Sequence, residues 1–527
     1  MNSITYQVAL QTVRSLWPEI LILAVATIMM TAGAFVRLPR RVWSFAAAGT
    51  LVAALIALLG RWGQEPIDPY STVALNDPLA MYARLAFLVT GLVLLGLAHD
   101  QVDDERSAEF FGALLMIFAG AMLVSAANEL VFLFVGLELV SMPTYLLLYL
   151  PRRNIHTQEA ATKYFYLSVF SSALALYGLA FMYGMAGVSN LKALGYLTHF
   201  MPGILQVQFG LIAALFVMAG LGFRVTAVPF HFYAPDVYQG SPTVVAALLA
   251  WVPKGVGFVA MIRVLAAVFG GENMVASKAV IIAWVIAAVS MTLGNAVALL
   301  QDDLKRLLAY SSIAHAGYLM IGVAVALQNE PAGVVNFLGS QAILFYLAAY
   351  ALMTLGAFGV IIALSTPERP IETVDELSGL SRTHPLSALA MALCMFSLAG
   401  VPPLAGFWGK FYIFASALTA GSDSDAQMFR LLAVVGVVNA AIGAYYYLRI
   451  VVVMYLRPAS QRPVQPRAGL PTALAVGACA ALSLGFGVFA QPLLRASQEA
   501  AVAAIAHPDP VRELPASAPA AVSSLPR

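Results

Sequence analysis

Residues 131–150 read VFLFVGLELVSMPTYLLLYL, and Glu138 is the one charged residue in this stretch. The length matches the roughly 20 apolar residues that an α-helix needs to cross the hydrocarbon core of a bilayer. Similar runs recur along the chain, and they are continuous rather than alternating with polar residues, which excludes the strands of a membrane β-barrel. The stretch therefore predicts a membrane-spanning helix that carries one acidic side chain inside the membrane.

The composition of the whole chain indicates a polytopic membrane protein. Of 527 residues, 61% are hydrophobic and 10% are charged, and the mean hydropathy is +0.85. Soluble domains average about 45–50% apolar and about 25% charged residues, so a water-soluble globule, a disordered chain and a coiled coil are excluded. We predict an all-α polytopic membrane protein of about 14 transmembrane helices. The predicted spans are 17–36, 42–60, 79–98, 108–127, 130–150, 161–186, 206–227, 241–269, 278–299, 304–327, 333–364, 385–419, 430–456 and 469–491.

Charge and cysteine content exclude several functional classes. The formal net charge is +2, which provides no basic surface for a nucleic acid. Cys394 and Cys479 are far apart in apolar runs, which excludes a disulfide framework, a zinc ribbon and an iron–sulfur cluster held by this chain alone. The GxGxxA matches at 255–260 and 485–490 lie in apolar helical runs and not in a strand–helix–strand unit. We therefore expect no cofactor and no metal in this chain.

The placement of Lys and Arg predicts the orientation. We number the connections between predicted spans in chain order. The odd-numbered connections and the residues that flank them carry 15 Lys and Arg residues. The even-numbered connections and the two tails carry 10, which include Arg84 and Arg263. Because cytoplasmic loops are enriched in Lys and Arg, we expect the odd connections in the cytoplasm and both termini outside. We expect run 17–36 to be a retained span rather than a signal peptide, and the Ala/Pro-rich tail 496–527 to be disordered.

Five ionisable residues fall inside the predicted spans: Glu138, Arg224, Lys254, His315 and Lys410. A charge at the bilayer centre costs on the order of 3 kcal/mol on insertion scales, so these groups should face the bundle interior. Structural explanations remain open, because Glu138 and Arg224 could be an ion pair that only locks helices, and Lys410 could reach the membrane surface. His315 could be a packing histidine. Acids and bases that alternate across several helices are nevertheless typical of a proton relay.

Two predicted spans contain prolines that should interrupt their helices. The seventh continues as VPFHFYAPDVYQGSP (228–242), and the twelfth contains VPP (401–403). Proline removes a backbone donor, and the freed carbonyls are tolerated in a membrane only where protein or water satisfies them. Broken helices at corresponding positions of two halves mark the ion sites of many transporters. Since each broken span carries a buried cation, Arg224 or Lys410, we expect ions to move near the breaks.

Five segments resemble the antiporter-like membrane subunits of respiratory NADH:quinone oxidoreductase (complex I). They are GLELVSMPTYLLL (136–148), EAATKYFYLSVFSSALALYGLAFMYG (159–184), VPFHFYAPDVYQGSPTVV (228–245), DDLKRLLAYSSIAHAGYLMIG (302–322) and LAGVPPLAGFWGKFYIF (398–414). They occur in the family's order, and the second is similar to the subunit N branch, also called chain 2. The resemblance covers residues 110–455 in detail.

This resemblance implies a fold and an activity. The fold would have fourteen helices, two inverted five-helix repeats and discontinuous helices 7 and 12, divided into 1–107, 108–269 (first repeat), 270–456 (second repeat), 457–495 (helix 14) and 496–527. The activity would be proton translocation in a multi-pass subunit of the cell (inner) membrane. FMN, iron–sulfur clusters and quinone would belong to other subunits. The implied partners are the other membrane subunits, the peripheral arm and the lipid bilayer, without nucleic acid.

The resemblance also implies roles for the buried ionisable residues. The family's glutamate on span five matches Glu138, and its lysine on span eight matches Lys254. A histidine on span ten matches His315, and a lysine on span twelve matches Lys410. The family's lysine on span seven falls on Arg224. Since an arginine pKa is about 13, arginine stays protonated, and we expect Arg224 to move or hold charge beside Glu138 rather than carry the proton.

Three other functions remain open. A subunit of a multisubunit sodium/proton antiporter would share these motifs without any quinone chemistry. A stand-alone transporter for an organic solute would need a roomy polar site at the breaks, whereas the breaks here carry single cations in apolar surroundings. A structural anchor that has lost pumping is the third, and the arginine at position 224 favours it to some degree.

Overall fold

The computed structural model describes residues 3–61, 63, 68–150, 155–200, 207–270, 274–328, 338–366, 370–421, 423–459 and 469–505. Every regular element in these ranges is helical. Backbone pairing between extended residues there is confined to three isolated bridges, Ala74–Ala127, Glu129–Asn190 and Asp303–Thr373. The predicted all-α class is confirmed, as expected for a chain that must satisfy its backbone polar groups within a bilayer.

Twenty α-helices follow one another in the described chain. They are α1 (Ser3–Ser15), α2 (Trp17–Gly33), α3 (Arg40–Leu59), α4 (Pro78–Ala98), α5 (Ser107–Ala126), α6 (Leu130–Tyr149), α7 (Ile155–Ala186), α8 (Leu191–Phe200), α9 (Val207–Arg224), α10 (Ala234–Gly240), α11 (Thr243–Met261), α12 (Met274–Ala298), α13 (Leu304–Leu327), α14 (Leu338–Leu364), α15 (Leu380–Thr383), α16 (Pro385–Ala399), α17 (Ala405–Thr419), α18 (Asp423–Leu456), α19 (Leu470–Val488) and α20 (Gln491–Ile505). A π-helical segment, Ile262–Phe269, continues α11.

Eleven helices in the described ranges are long and apolar enough to cross a membrane. The pair α1 and α2, which meet at a bend of 61°, brings the number to twelve. Each of the predicted spans contains a helix, but the seventh and the twelfth are divided into shorter ones. Length and composition of the helices therefore establish a multi-span membrane protein without establishing the predicted number of fourteen.

Both predicted breaks are present. Residues 225–233 separate α9 from α10, and residues 400–404 separate α16 from α17. Gly400 follows α16 with a φ of +90°, a left-handed conformation that glycine adopts without the steric penalty of a side chain. Pro402 and Pro403 follow after Val401. A proline has no backbone N–H to donate, so these residues do not extend the helix. The sequence pattern thus predicted both discontinuous helices correctly.

The centre of the bundle consists of α11, α13 and α14. These three helices are almost entirely buried, and α11 packs against both of the others. Helices α3, α7, α12, α18 and α19 lie at the periphery, where large apolar side chains such as Phe170 and Val437 are exposed. Because lipid tails are as apolar as these side chains, such outer faces suit a bilayer. Lys254 and His315, on α11 and α13, therefore lie deep in protein.

Two arginines counted among the connections are instead buried in the bundle. Arg263 donates to both carboxylate oxygens of Asp77, at 2.5 and 2.6 Å. The Nε atom of Arg84 lies 2.8 Å from Oε1 of Glu19 with both side chains fully buried, although the atoms are not aligned as a hydrogen bond. The sequence did not predict these contacts, because each arginine has an acidic partner from another part of the chain. Seven other residues of the orientation count lie outside the described ranges: Arg152, Arg153, Arg369, Arg462, Arg467, Arg512 and Arg527.

The prediction of a disordered tail from residue 496 was wrong for its first part, because α20 continues to Ile505. Ala500 and Ala501 are buried where α20 packs against α4 and α14. The Lys192 ammonium donates to the carbonyl of Ala503 at 3.2 Å. Alanine produces little apolar periodicity but favours helix and permits close packing, which explains the error. Residues 506–527 lie outside the described ranges.

Close contact between α12 and α13 depends on Gly317. A Cβ atom at this position would lie 2.6 Å from the backbone nitrogen of Met291 and 2.9 Å from the carbonyl oxygen of Ala287. We therefore expect Gly317→Ala to separate the helices and to destabilise the chain by about 1–3 kcal/mol, measured as a lower Tm of the purified chain in detergent. Gly477→Ala is the matched control, because a Cβ there meets nothing within 4 Å. An equal Tm for the two variants would contradict this account.

Candidate functional site

Glu138 and Arg224 form an ion pair between α6 and the end of α9. The Nη2 atom of Arg224 lies 3.2 Å from Oε1 of Glu138, and the side chains are 4% and 19% exposed, respectively. The Ser172 hydroxyl, on α7, donates to the same carboxylate oxygen. Three helices thus converge on one carboxylate, and the predicted pairing is present.

Arg224 makes further contacts that a lysine could not make at the same time. Its Nη1 atom donates to the Ser141 hydroxyl at 2.7 Å and to the Leu137 carbonyl at 3.1 Å. The planar guanidinium therefore binds one turn of α6 with one nitrogen and the Glu138 carboxylate with the other. Arginine presents five donors in a rigid fork, whereas lysine presents a single ammonium. The Nε atom has no hydrogen-bond partner among the described residues.

Lys254 is fully buried on α11. Its ammonium donates to the carbonyl and the hydroxyl of Ser312, the latter at 2.6 Å, and it lies 4.9 Å from the ring centroid of Tyr350. Within the described residues, no carboxylate forms a salt bridge with it. Hydroxyl, carbonyl and ring face replace water around this nitrogen, which is an arrangement that can accept a lysine in either protonation state.

Both ring nitrogens of His315 face tyrosine hydroxyls. Nδ1 lies 2.5 Å from the hydroxyl of Tyr346 on α14, and Nε2 lies 2.9 Å from the hydroxyl of Tyr447 on α18. A hydroxyl both donates and accepts, so each tautomer of the imidazole can be satisfied without moving a side chain. The packing explanation for His315 and the relay explanation both fit this geometry.

Lys410 lies on α17 with its ammonium directed at the carbonyl end of α16. It donates to the carbonyls of Leu398 at 2.8 Å and Ala399 at 3.1 Å, and it lies 5.2 Å from the ring centroid of Tyr318. The last carbonyls of a helix have no partner within the helix and carry partial negative charge. At 5% exposure, Lys410 does not extend to the membrane surface, so the break in the span provides its partners.

Aromatic rings lie between the buried cations. The Tyr350 ring is 5.1 Å from the His315 ring and also contacts Lys254, and the Tyr318 ring is 5.6 Å from the His315 ring and contacts Lys410. On the other side, a Cβ built on Gly257, one turn beyond Lys254, would lie 3.4 Å from Cβ of Arg224. The five predicted residues thus form two groups, the Glu138–Arg224 pair and a row of Lys254, His315 and Lys410. Helices α9 and α11, which carry Arg224 and Lys254, lie next to each other at Gly257. No hydrogen bond joins Arg224 directly to Lys254 in the described residues.

Comparison with known families agrees with this arrangement. The family described as NADH:quinone oxidoreductase/Mrp antiporter, transmembrane, matches residues 127–442, a range that contains all five site residues. This chain belongs to the NADH:quinone oxidoreductase/Mrp antiporter family.

Curated relatives of this antiporter-family chain extend over most of its length. NADH-quinone oxidoreductase subunit N of Trichlorobacter lovleyi is 38% identical over 452 residues, which cover 85% of this chain and 88% of the relative. The subunit N of Rhodospirillum rubrum is 37% identical over 474 residues, covering 89% and 93%.

Solved structures have the same fold. A chain of respiratory complex I from Thermus thermophilus with bound aureothin shares 34% identity at a TM-score of 0.72, over 90% of this chain and 98% of that one. A chain of the Mrp complex from Dietzia sp. has a TM-score of 0.79 at 21% identity, over 94% and 98%. At that identity the second likeness shows the fold alone.

Sequence reasoning missed the hydroxyl and amide side chains of this family member that surround His315. Tyr447 contacts the hydroxyl of Ser311 as well as His315. The neighbouring Tyr446 donates to the Asn295 amide oxygen at 2.9 Å, and Asn295 contacts Asn439 at 3.3 Å. A usable signal was present, since Asn295 and Asn439 lie inside apolar runs where an amide needs a partner. Among the described residues, no group of three His, Cys, Asp or Glu side chains could hold a metal ion.

Tyr447→Phe tests whether the hydroxyl network stabilises the bundle. The substitution removes the partner of His315 Nε2 at a site that is 1% exposed. Leaving a buried polar group unsatisfied costs about 1–3 kcal/mol, so we expect a lower Tm in detergent. Tyr445→Phe is the control, because Tyr445 lies on the same helix and is 64% exposed. If both variants keep the wild-type Tm, the hydroxyl contributes nothing to stability.

Proposed function

We propose that this chain is the proton-translocating membrane subunit N of a NADH:quinone oxidoreductase. Curated relatives that carry the subunit N name match it over most of both chains, and the complex I chain of Thermus thermophilus shares its fold at 34% identity. One observation carries the proposal: five buried ionisable groups lie inside the bundle, the Glu138–Arg224 pair on α6 and α9 and the residues Lys254, His315 and Lys410, which serine and tyrosine side chains connect. Such groups inside a bundle mark ion and proton pathways.

The proton path begins at Lys254. Its ammonium contacts Ser312, whose hydroxyl accepts a hydrogen bond from Tyr350 at 3.0 Å. A proton leaving Lys254 has hydroxyl groups within reach and His315 one turn further along α13. From His315 the path continues towards Lys410 through the protein interior beside Tyr318. The proposed roles are proton carrier for Lys254, relay for His315 and exit-side carrier for Lys410.

The Glu138–Arg224 pair controls this path through its charge. When Arg224 holds Glu138, the carboxylate is neutralised and Lys254 loses an anion that would stabilise its ammonium. Moving one charge against 100 mV requires about 2.3 kcal/mol. Two unit charges 4 Å apart interact by about 4 kcal/mol at an effective dielectric constant of 20. The energy released or consumed when one ion pair closes or opens is therefore large enough to drive one proton transfer.

The remaining parts of the reaction lie outside this chain. FMN, iron–sulfur clusters and quinone in partner subunits would carry the electrons, and other membrane subunits and the peripheral arm would transmit their energy. We assign the chain to the cell (inner) membrane with both termini outside. We also assign residues 1–107 to the N-terminal helices, 108–269 and 270–456 to two inverted repeats, and 457–495 to the last span.

Lys254→Ala is the direct test of the path. In the assembled complex, reconstituted in proteoliposomes, we expect quinone-coupled turnover and proton pumping to fall to background. Electron transfer from NADH to an artificial acceptor should stay unchanged, because no redox centre is touched. Lys278→Ala, an exposed lysine on the neighbouring α12, is the control and should pump normally.

An unchanged proton-to-electron ratio in Lys254→Ala would mean that Lys254 is not on the proton path and that this chain has a mainly structural role. Replacing sodium with potassium in the same assay separates the alternative, since a sodium/proton antiporter subunit requires sodium for proton movement and a proton pump does not.

Arg224 offers a second test because two substitutions separate charge from geometry. Arg224→Lys keeps one positive charge beside Glu138 and gives up the bonds to Ser141 and Leu137, so we expect most of the pumping to remain. Arg224→Gln removes the charge and should abolish pumping, and loss of one partner from a buried pair also costs about 3–5 kcal/mol of stability. The proton-to-electron ratio is measured in complexes that contain all subunits. Normal pumping by Arg224→Gln would remove the pair from the mechanism.

A further inference from the structure

A partly open cavity lies between α1, the end of α3 and the segment that leads into α4. Its volume is about 330 Å³, and its polar lining includes Gln11, Arg14, Ser15, Arg61, Thr72 and Asn76. None of these residues is one of the five site residues, which lie on α6, α9, α11, α13 and α17. The proposed function leaves this cavity unexplained.

The surroundings of the cavity are positively charged. Arg14 and Arg61 line it, and neither forms a salt bridge with a described residue. Behind its wall, Arg84 donates to the Asn76 amide oxygen at 3.1 Å, and Asn76 donates to the Arg61 carbonyl at 3.0 Å. Burial and the Arg14 and Arg84 cations lower the pKa of Arg61, although the Glu19 carboxylate acts in the opposite direction. Arg61 thus lies near two other cations, and an anion bound in the cavity would relieve the repulsion between them.

One buried hydroxyl in the lining has no partner. Thr72 is 3% exposed, and its Oγ1 atom makes no hydrogen bond to any described residue. Buried hydroxyls in proteins are nearly always satisfied, and an exception indicates an unseen partner such as a ligand or a water molecule. Thr72 can donate a hydrogen bond, so the lining combines two guanidinium groups with a neutral donor. That donor set matches a phosphate group, which is an acceptor only.

Apolar surface lies beside the cavity. Leu10 and Val13 on α1 are 39% and 52% exposed, and Tyr6 and Trp17 are 60% and 50% exposed. Exposed Tyr and Trp at the ends of membrane helices are typical of the headgroup layer of a bilayer. Leu10 itself lines the cavity, and Val13 is adjacent to Arg14 in the chain. A ligand that fills the cavity therefore meets polar donors at one end and apolar side chains at the other.

We propose that this cavity binds the phosphate of an anionic phospholipid, with Arg14 and Arg61 as its ligands and the acyl chains against Leu10 and Val13. Free phosphate has the same headgroup chemistry but leaves the apolar surface unused. The proposal goes beyond proton translocation and does not depend on it. Bound lipid would hold α1 against α3 and would stabilise the N-terminal part of the bundle.

Native mass spectrometry of the purified full chain in detergent tests the proposal. Dioleoylphosphatidylglycerol is the anionic probe, dioleoylphosphatidylcholine the zwitterionic one, and inorganic phosphate the headgroup alone. We expect a retained phosphatidylglycerol molecule and at least about tenfold weaker binding in Arg14→Gln/Arg61→Gln, because both charged donors to the phosphate are removed. Arg37→Gln/Arg41→Gln is the charge-matched control at the opposite end of α3, where both arginines are exposed.

Thr72→Val provides a second variant with no change in charge, and it should weaken phosphatidylglycerol binding while the wild-type Tm without lipid is kept. Equal retention of both lipids, or unchanged binding in the double arginine variant, would overturn the proposal. If millimolar inorganic phosphate displaces phosphatidylglycerol, the cavity binds free phosphate rather than a lipid headgroup, and the proposal of a lipid ligand is wrong. Each readout is independent of pumping, so failure here and failure of the proposed function remain distinguishable.

Discussion

The low polarity of the bilayer interior determines how every buried charge in this bundle is held. An isolated ion away from water is costly, and the structure contains three different solutions. Arg224, Arg263 and Arg84 lie beside carboxylates. Lys410 donates hydrogen bonds to carbonyls at the end of a broken helix. Lys254 donates to a hydroxyl and a carbonyl and lies over the face of a tyrosine ring. The arginines are thus fixed in ion pairs, whereas the hydrogen-bond partners of Lys254 and Lys410 within the described residues are neutral groups.

This division follows from the chemistry of the two side chains. An arginine remains charged under all ordinary conditions, so a carboxylate must accompany it. A lysine can lose its proton, and neutral partners accept it in both states. Residues that change protonation should therefore be found among lysines and histidine with neutral neighbours, which is where Lys254, His315 and Lys410 lie. Residues whose fixed charge influences these protonation changes should be found in ion pairs, as Glu138 and Arg224 are.

Particular residues show how far the sequence alone could lead. The apolar runs, the prolines at 229 and 402–403 and the five ionisable residues were readable, because length, missing backbone donors and charge in apolar surroundings are local properties. The ion partners of Arg84 and Arg263 were not readable, because only the folded chain brings Glu19 and Asp77 to them. Tyr350 and Tyr447 were not recognised, since a tyrosine in an apolar run does not reveal what its hydroxyl contacts. Helix α20 was missed because alanine carries little periodic signal.

The resemblance implies a lysine at position 224, and the arginine found there narrows the proposed mechanism further. A lysine at this place could carry the proton itself or balance Glu138, and the two roles could not be separated. Arginine retains only the second role, and its bonds to Ser141 and Leu137 attach the charge to α6, the helix that bears Glu138. Any movement of Arg224 away from Glu138 must then break contacts to α6 as well as the ion pair. We therefore propose that the switch in this chain is a displacement of the α9 end relative to α6, rather than a transfer of a proton at position 224.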